Sequence, residues 1–174
     1  MSAGGIPTDA SSLIHLAKAG QLELAHKALG PLLVPPAVWV EAITEGERIG
    51  AVEVPVLVQG FGNGWLRRVE LGAKSISQAR TLVERHGLGQ GEAQVMAIAG
   101  EYAWILLDEH RGARRAEGIG IVVMTSLLLP LLCVDRGLLD TEGGIVVLRA
   151  IALHSNPKFE QLAQCERDIR RLSP

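Results

Sequence analysis

Gly87-Leu88-Gly89-Gln90-Gly91-Glu92-Ala93 opens a helix that runs toward Glu101 and hands over to the apolar run Trp104-Ile105-Leu106-Leu107, which closes on Asp108-Glu109. On a 3.6-residue period with Glu92 as origin, Val95, Met96, Ala99 and Ala103 fall within about 60° of it, while Gln94 and Glu101 point away. Glu92 therefore sits in the middle of an apolar stripe. A carboxylate in that position needs an ion pair, hydrogen bonds or a cation, because burying it bare costs several kcal/mol. The strand that follows ends in a second carboxylate, Asp108. Two acids aimed at one place mark a candidate site.

Working outward, the same alternation recurs. Ile6-Pro7-Thr8 is a stunted strand before Asp9, and Ser11 to Ala17 is a helix closed by Gly20. Asp9 stands at that junction, where an N-cap and a site residue are equally good readings. A helix over Leu22 to Leu29 ends at Gly30, Leu32 to Val34 is a buried strand, and Pro35-Pro36 begins another helix. In that helix Glu41 shares a face with Ala37, Val38, Thr44 and Glu45, with Trp39 and Ile43 opposite; taken locally, Glu41 is a solvated surface carboxylate. From Ile49 to Lys74 the chain breaks into a short helical piece, a loop and an edge strand, Trp65 to Val69. Ser77 caps a helix through His86.

Beyond Asp108 a basic helix carries Arg111, Arg114 and Arg115 and stops at Gly118 and Gly120. Ile121 to Val123 is a further strand, and Thr125-Ser126 caps a buried helix reaching Cys133. Gly143 to Leu153 reads as a helix, although Ile145-Val146-Val147 also suits a strand. Asn156-Pro157 caps the last helix, whose stripe of Phe159, Leu162, Ala163, Ile169 and Leu172 can pack on its own domain or on a second subunit of a homodimer. Short apolar strands separated by helices predict a three-layer α/β/α domain with a central, mainly parallel sheet.

At 174 residues the chain fits one domain, with residues 1–140 as core and 141–174 as a C-terminal helical extension. Cys133 and Cys165 lack metal-type spacing and sit in apolar surroundings, which fits packing roles, a reducing cytoplasm and no disulfide. Met1-Ser2-Ala3-Gly4-Gly5 has no basic residue and no apolar run, which argues against a signal peptide, and the most apolar segment, Ile121 to Val134, is interrupted and short of the ~20 residues a membrane span needs. A soluble, cytoplasmic protein is expected. The net charge of −2 gives no hint of nucleic-acid binding, yet setting four acids aside as a cation site reverses the sign of the remainder.

Ligands of parallel sheets gather at the carboxyl ends of the strands. Asp9 follows the first strand, Glu41 lies in the helix after the second, Asp108 ends the third, and Glu92 opens the helix before it. Acids so crowded repel one another unless a cation is present, and oxygen-only ligands select hard ions such as Mg²⁺ or Mn²⁺. Ions of that kind activate water against a phosphodiester, so the indicated chemistry is phosphoester hydrolysis. Three other chemistries are set aside. Gly87-x-Gly89-x-Gly91 follows a helix and has the wrong spacing for a dinucleotide loop. A phosphoaspartate enzyme needs a second Asp where Ser11 stands. The five histidines are scattered, against a zinc hydrolase, and each reads as a surface or core residue.

Four motifs in order resemble a PIN domain, in particular the prokaryotic group of PIN-like toxin nucleases: Asp9-Ala10-Ser11-Ser12-Leu13-Ile14, Pro36-Ala37-Val38-Trp39-Val40-Glu41, Gly91-Glu92-Ala93 and Leu106-Leu107-Asp108-Glu109. The resemblance covers about the first 140 residues. It implies a Mg²⁺- or Mn²⁺-dependent endoribonuclease acting on single-stranded or structured RNA, with Asp9, Glu41, Glu92 and Asp108 as catalytic metal ligands. It further implies Ser11 and Thr125 as supporting residues, and an antitoxin protein as a partner. Arg111, Arg114 and Arg115 would hold the RNA backbone, against a plain solvated helix face as the alternative. The chain departs from the pattern at Ala113, where relatives carry an arginine, and at Met124, where they carry a glycine. The competing reading is a PIN-like fold kept as a catalytically silent protein-interaction module.

Overall fold

A computed structural model describes residues 4–102, 104–108, 110–118 and 120–172, except for the side chains of His110 and Arg111. Five short strands, β1 (Ile6–Pro7), β2 (Leu32–Val34), β3 (Leu66–Arg68), β4 (Ile105–Leu106) and β5 (Val123–Met124), are all paired in parallel. Thr8 bridges Leu106, and the Asp9 N–H donates to the Leu106 carbonyl at 3.2 Å, so β1 and β4 lie side by side. The strand order is therefore β3-β2-β1-β4-β5. The first three strands build outward from β1 on one side and the last two on the other. The order reverses between β1 and β4, and parallel sheets bind their ligands outside the carboxyl ends of the strands at such a switch point.

The helices are α1 (Ala10–Lys18), α2 (Leu22–Leu29), α3 (Pro36–Trp39), α4 (Glu45–Ile49), α5 (Val54–Gly62), α6 (Ala73–His86), α7 (Gln90–Ile98), α8 (His110–Gly118), α9 (Leu129–Asp135), α10 (Thr141–Ser155) and α11 (Phe159–Arg171). Strand residues Leu32, Leu33, Ile105 and Leu106 are wholly buried, as a sheet covered on both faces requires. The three-layer α/β/α architecture expected from the sequence is the one observed. α10 joins the same core through Val147 and Ile151, while Ile145, Leu148 and Ile169 form a second small cluster that docks α11 on α10. The last helix thus packs on its own domain.

Several boundaries move, each for a local reason. Between α3 and α4 the helix widens into a π turn over Val40–Thr44, which places Ile43 on the buried side with Val38 and Ala42 and leaves Glu41 exposed. The strand expected over Ile121 to Val123 begins later, because Gly120 adopts φ +82 and the Ile121 N–H closes the end of α8 on the Ala116 carbonyl. Ser77 lies inside α6, which starts at Ala73 after the extended Gly72. Asn156 ends α10 in the left-handed conformation, φ 46, and α11 starts only after Lys158. The ambiguous segment around Ile145 to Val147 is helical, with Asp140 Oδ1 accepting the Gly143 N–H at 2.7 Å as N-cap. The edge strand predicted over Trp65 to Val69 is β3, where Arg68 stacks 4.4 Å from the Trp39 ring centroid. Among the described residues no helix is long and apolar enough to cross a membrane.

Candidate active site

Asp9 satisfies both readings of its position. Its backbone is extended, its Oδ1 accepts the Ser12 N–H at 2.9 Å, and α1 starts from it as from any good N-cap. It is also only 3% exposed. Burial pushes the Asp9 carboxyl from its ordinary 3.8 up to about 7; the negative charges of Asp108 and Glu92 push the same way, against the lowering effect of Ser12. Asp9 is thus close enough to feel two of the other three predicted acids. Ser12, fully buried, is the serine against Asp9, whereas Ser11 stands part-exposed on the first turn of α1.

Asp108, directly beyond β4, is gripped by three donors. The Ser126 N–H reaches Oδ1 at 2.7 Å, the Ser126 hydroxyl reaches Oδ2 at 2.6 Å, and His15 Nδ1 stands 2.7 Å from Oδ2. Ser126 opens a 3₁₀ turn over Ser126–Leu128 beside the end of β5. Thr125 is the residue before that turn and makes no side-chain cap bond, so the neighbouring serine, not the threonine, touches Asp108. His15, which the sequence left as a surface or core residue, belongs to the site's surroundings. One signal for it was available: on α1 it falls about 60° from Ser12, on the flank of the buried face.

Glu92 and Glu41 share the amino end of α7. Glu92 Oε2 accepts the N–H of Gly89, the N-cap, at 3.0 Å, which is half of a capping box; glycine has no side chain to supply the other half. Glu41 Oε1 accepts the Gly91 N–H at 3.3 Å across from the π turn. The open N–H groups and positive dipole end of a helix favour carboxylates at this point. A Cβ at Gly91 would sit 2.8 Å from Glu41 Oε2, so a larger residue would push that carboxylate off the Gly91 N–H. Around the predicted stripe, Val95, Met96 and Ala99 are buried as expected, while Ala103 lies outside the described residues. Gln94, on the opposite side, is used as well, its Oε1 accepting the Ala37 N–H at 2.8 Å to tie α7 to α3.

α8 closes the fourth side. Its buried Gly112 lies directly under the Glu92 carboxylate, where a Cβ would clash with Oε1 and stand 3.0 Å from Leu107. We expect Gly112→Ala to lower stability by about 1–3 kcal/mol, as overpacking does. Gly118→Ala, in open space on the same helix, should leave it nearly unchanged, and comparison of the two melting temperatures checks this. Arg114 and Arg115 are exposed on α8, and Arg115 Nη1 lies 3.0 Å from His86 Nδ1 at the end of α6. Glu109 and the Arg111 side chain lie outside the described residues.

Asp9 therefore feels the charges of Asp108 and Glu92, and Glu41 reaches the same end of α7 that Glu92 caps. Among the described residues, no three acid, His or Cys side chains are drawn together as a ready cage for an ion. The all-oxygen donor set, with Asp9 held half-ready to ionise, fits a hard divalent cation. A separate apolar cavity of about 490 Å³, lined by residues such as Val122, Met124, Leu128, Leu131 and Leu172, contains none of the four acids.

One family model, DUF3368, a PIN domain, matches residues 6–159. The chain belongs to the PIN-domain family. PIN domains are nuclease-type folds that typically use divalent metal ions. In this PIN domain the match extends through α10, the helix that shares the main core. No curated protein and no solved structure matches the chain.

Proposed function

We propose that this PIN domain is a Mg²⁺- or Mn²⁺-dependent endoribonuclease, cutting single-stranded or structured RNA as the toxin of a toxin–antitoxin pair in the cytoplasm. The observation that carries the reading is the convergence of Asp9, Asp108 and Glu92 where the strand order reverses, with Glu41 held at the same helix end. Asp9, Glu41, Glu92 and Asp108 would hold the cation. When bound, it supplies a water activated for attack and positive charge to offset that of the phosphodiester.

The chain's own residues do the rest. The Ser126 N–H and hydroxyl fix the Asp108 carboxylate, and the Ser12 N–H fixes Asp9, so the two acids are held in set orientations. Ser11 and Thr125 flank these two serines and would support them. The amino end of α7 steadies Glu92 and Glu41 as anions before any ligand arrives. Gly112 seats α8 against Glu92, and Arg114 and Arg115 are exposed on that helix; these two and Arg111 would take the RNA phosphates.

The test is incubation of the purified chain with single-stranded RNA in Mn²⁺ or Mg²⁺, with a chelator control. Degradation that stops on chelation is the expected result. RNA left intact in both metals, by protein free of any partner, would turn the reading to the silent interaction module. The toxin role has its own check, arrest of cell growth on expression and relief by the product of a neighbouring reading frame.

A further inference from the structure

An ionised carboxylate has about four lone-pair sites and no proton to give. At Asp108 three of the four are already filled from within the protein. Oδ2 receives both His15 Nδ1, at 2.7 Å, and the Ser126 hydroxyl, at 2.6 Å, and Oδ1 receives the Ser126 N–H at 2.7 Å. His15 must be the donor in its bond, since the carboxylate offers only acceptors. The Asp108 side chain is 7% exposed and that of His15 20%, so water competes little for these bonds.

His15 also stands on α1, the helix that Asp9 caps. Less than two turns of one helix thus separate an acid held at its start from the side chain that grips another, 93 residues from His15 in sequence.

We propose that His15 is a positioning residue: with Ser126 it locks Asp108 so that, among the described residues, the carboxylate keeps one lone pair, on Oδ1, to present to a divalent cation, and α1 fixes the distance between that oxygen and Asp9. The inference rests on the metal-dependent reading above and deepens it. Asp108 then binds a cation through one oxygen only, since two-oxygen chelation would require His15 or Ser126 to let go of Oδ2. Partners of this kind, which orient a ligand without touching the ion, typically change metal affinity by roughly 10–100-fold when removed.

The experiment follows Mn²⁺ binding to the metal-free full chain, without RNA, as the Mn²⁺ concentration that gives half of the maximal rise in melting temperature. His15→Leu, which cannot donate, should raise that midpoint by roughly 10–100-fold. His15→Asn, whose amide N–H can reach the place of Nδ1, should recover most of the loss. With RNA, the Leu variant should lose kcat and keep KM, because His15 acts through Asp108 and not on the substrate. His15→Ala, well suited to a helix, replaces the Leu variant if that chain does not melt cooperatively. A wild-type chain that responds to Mn²⁺ beside a folded Leu or Ala variant with the same midpoint overturns the role of His15 alone. A wild-type chain indifferent to both Mn²⁺ and Mg²⁺ overturns the metal reading and this inference with it.

Discussion

Replacing Asp108 by Asn is expected to reduce metal-dependent RNA cleavage by about 10²–10³-fold, equivalent to about 3–4 kcal/mol of transition-state stabilisation. Asp108 follows β4, with Oδ1 accepting the Ser126 N–H and Oδ2 held by the Ser126 hydroxyl and His15. Asn keeps the shape and removes the charge that a divalent cation requires. The fold should survive the change, because the Ser126 hydroxyl can turn to accept from an amide and the histidine ring can exchange its donor and acceptor nitrogens. A near-normal melting curve in chelator with cleavage lost in Mn²⁺ is the outcome sought. Cleavage at the wild-type rate would remove Asp108 from the machinery.

The second large effect is on stability and comes from Asp9. Its carboxyl titrates near 3.8 in an unfolded chain and near 7 in the folded one, chiefly because burial strips it of water. A raised carboxyl pKa means that the folded state binds the proton more tightly. The contribution from Asp9 is therefore fully present below about pH 4 and is lost as pH rises through about 7. For metal-free protein, stability should fall across that window by up to about 4 kcal/mol on account of this one group.

Asp9→Asn removes the titration and keeps an N-cap of equal quality. At pH 8 in chelator the variant should melt up to about 10 °C above wild type, and the two curves should meet near pH 4. Adding Mn²⁺ should then reverse the order at pH 8, since a cation stabilises the wild-type carboxylate and finds no charge in the Asn variant. Parallel pH profiles for the two proteins in chelator would show that Asp9 ionises without cost in the folded chain.

Much of this architecture could be read from residues in line. Leu22–Leu29 and Leu32–Val34 have the bounds the sequence predicts, because a glycine or proline punctuates each end. The acids after β1 and β4 were legible for a similar reason: each follows an apolar run directly. What escaped depends on partners far along the chain. Nothing near His15 announces Asp108, and nothing in the Thr125-Ser126 pair says which hydroxyl will turn to it. Glu41 was obscured differently. A helix wheel at 3.6 residues per turn puts Val38 and Ile43 on different sides, and only the extra residue of the π turn unites them and turns Glu41 outward toward Gly91. Such bulges recur at functional sites, and no simple hydrophobic pattern reveals them.

The order of the strands has a consequence for the newly made chain. β1 can pair with β2 as soon as the first 34 residues are available, but the site has only one wall until β4 is laid against β1 and Ser126 has arrived to hold Asp108. Pairings that span so much sequence form late, because the intervening chain must first be ordered. An unfinished polypeptide emerging from the ribosome therefore carries Asp9 and Glu41 without Asp108 and, on the function proposed above, would stay harmless to the message that encodes it until most of the domain has been synthesised.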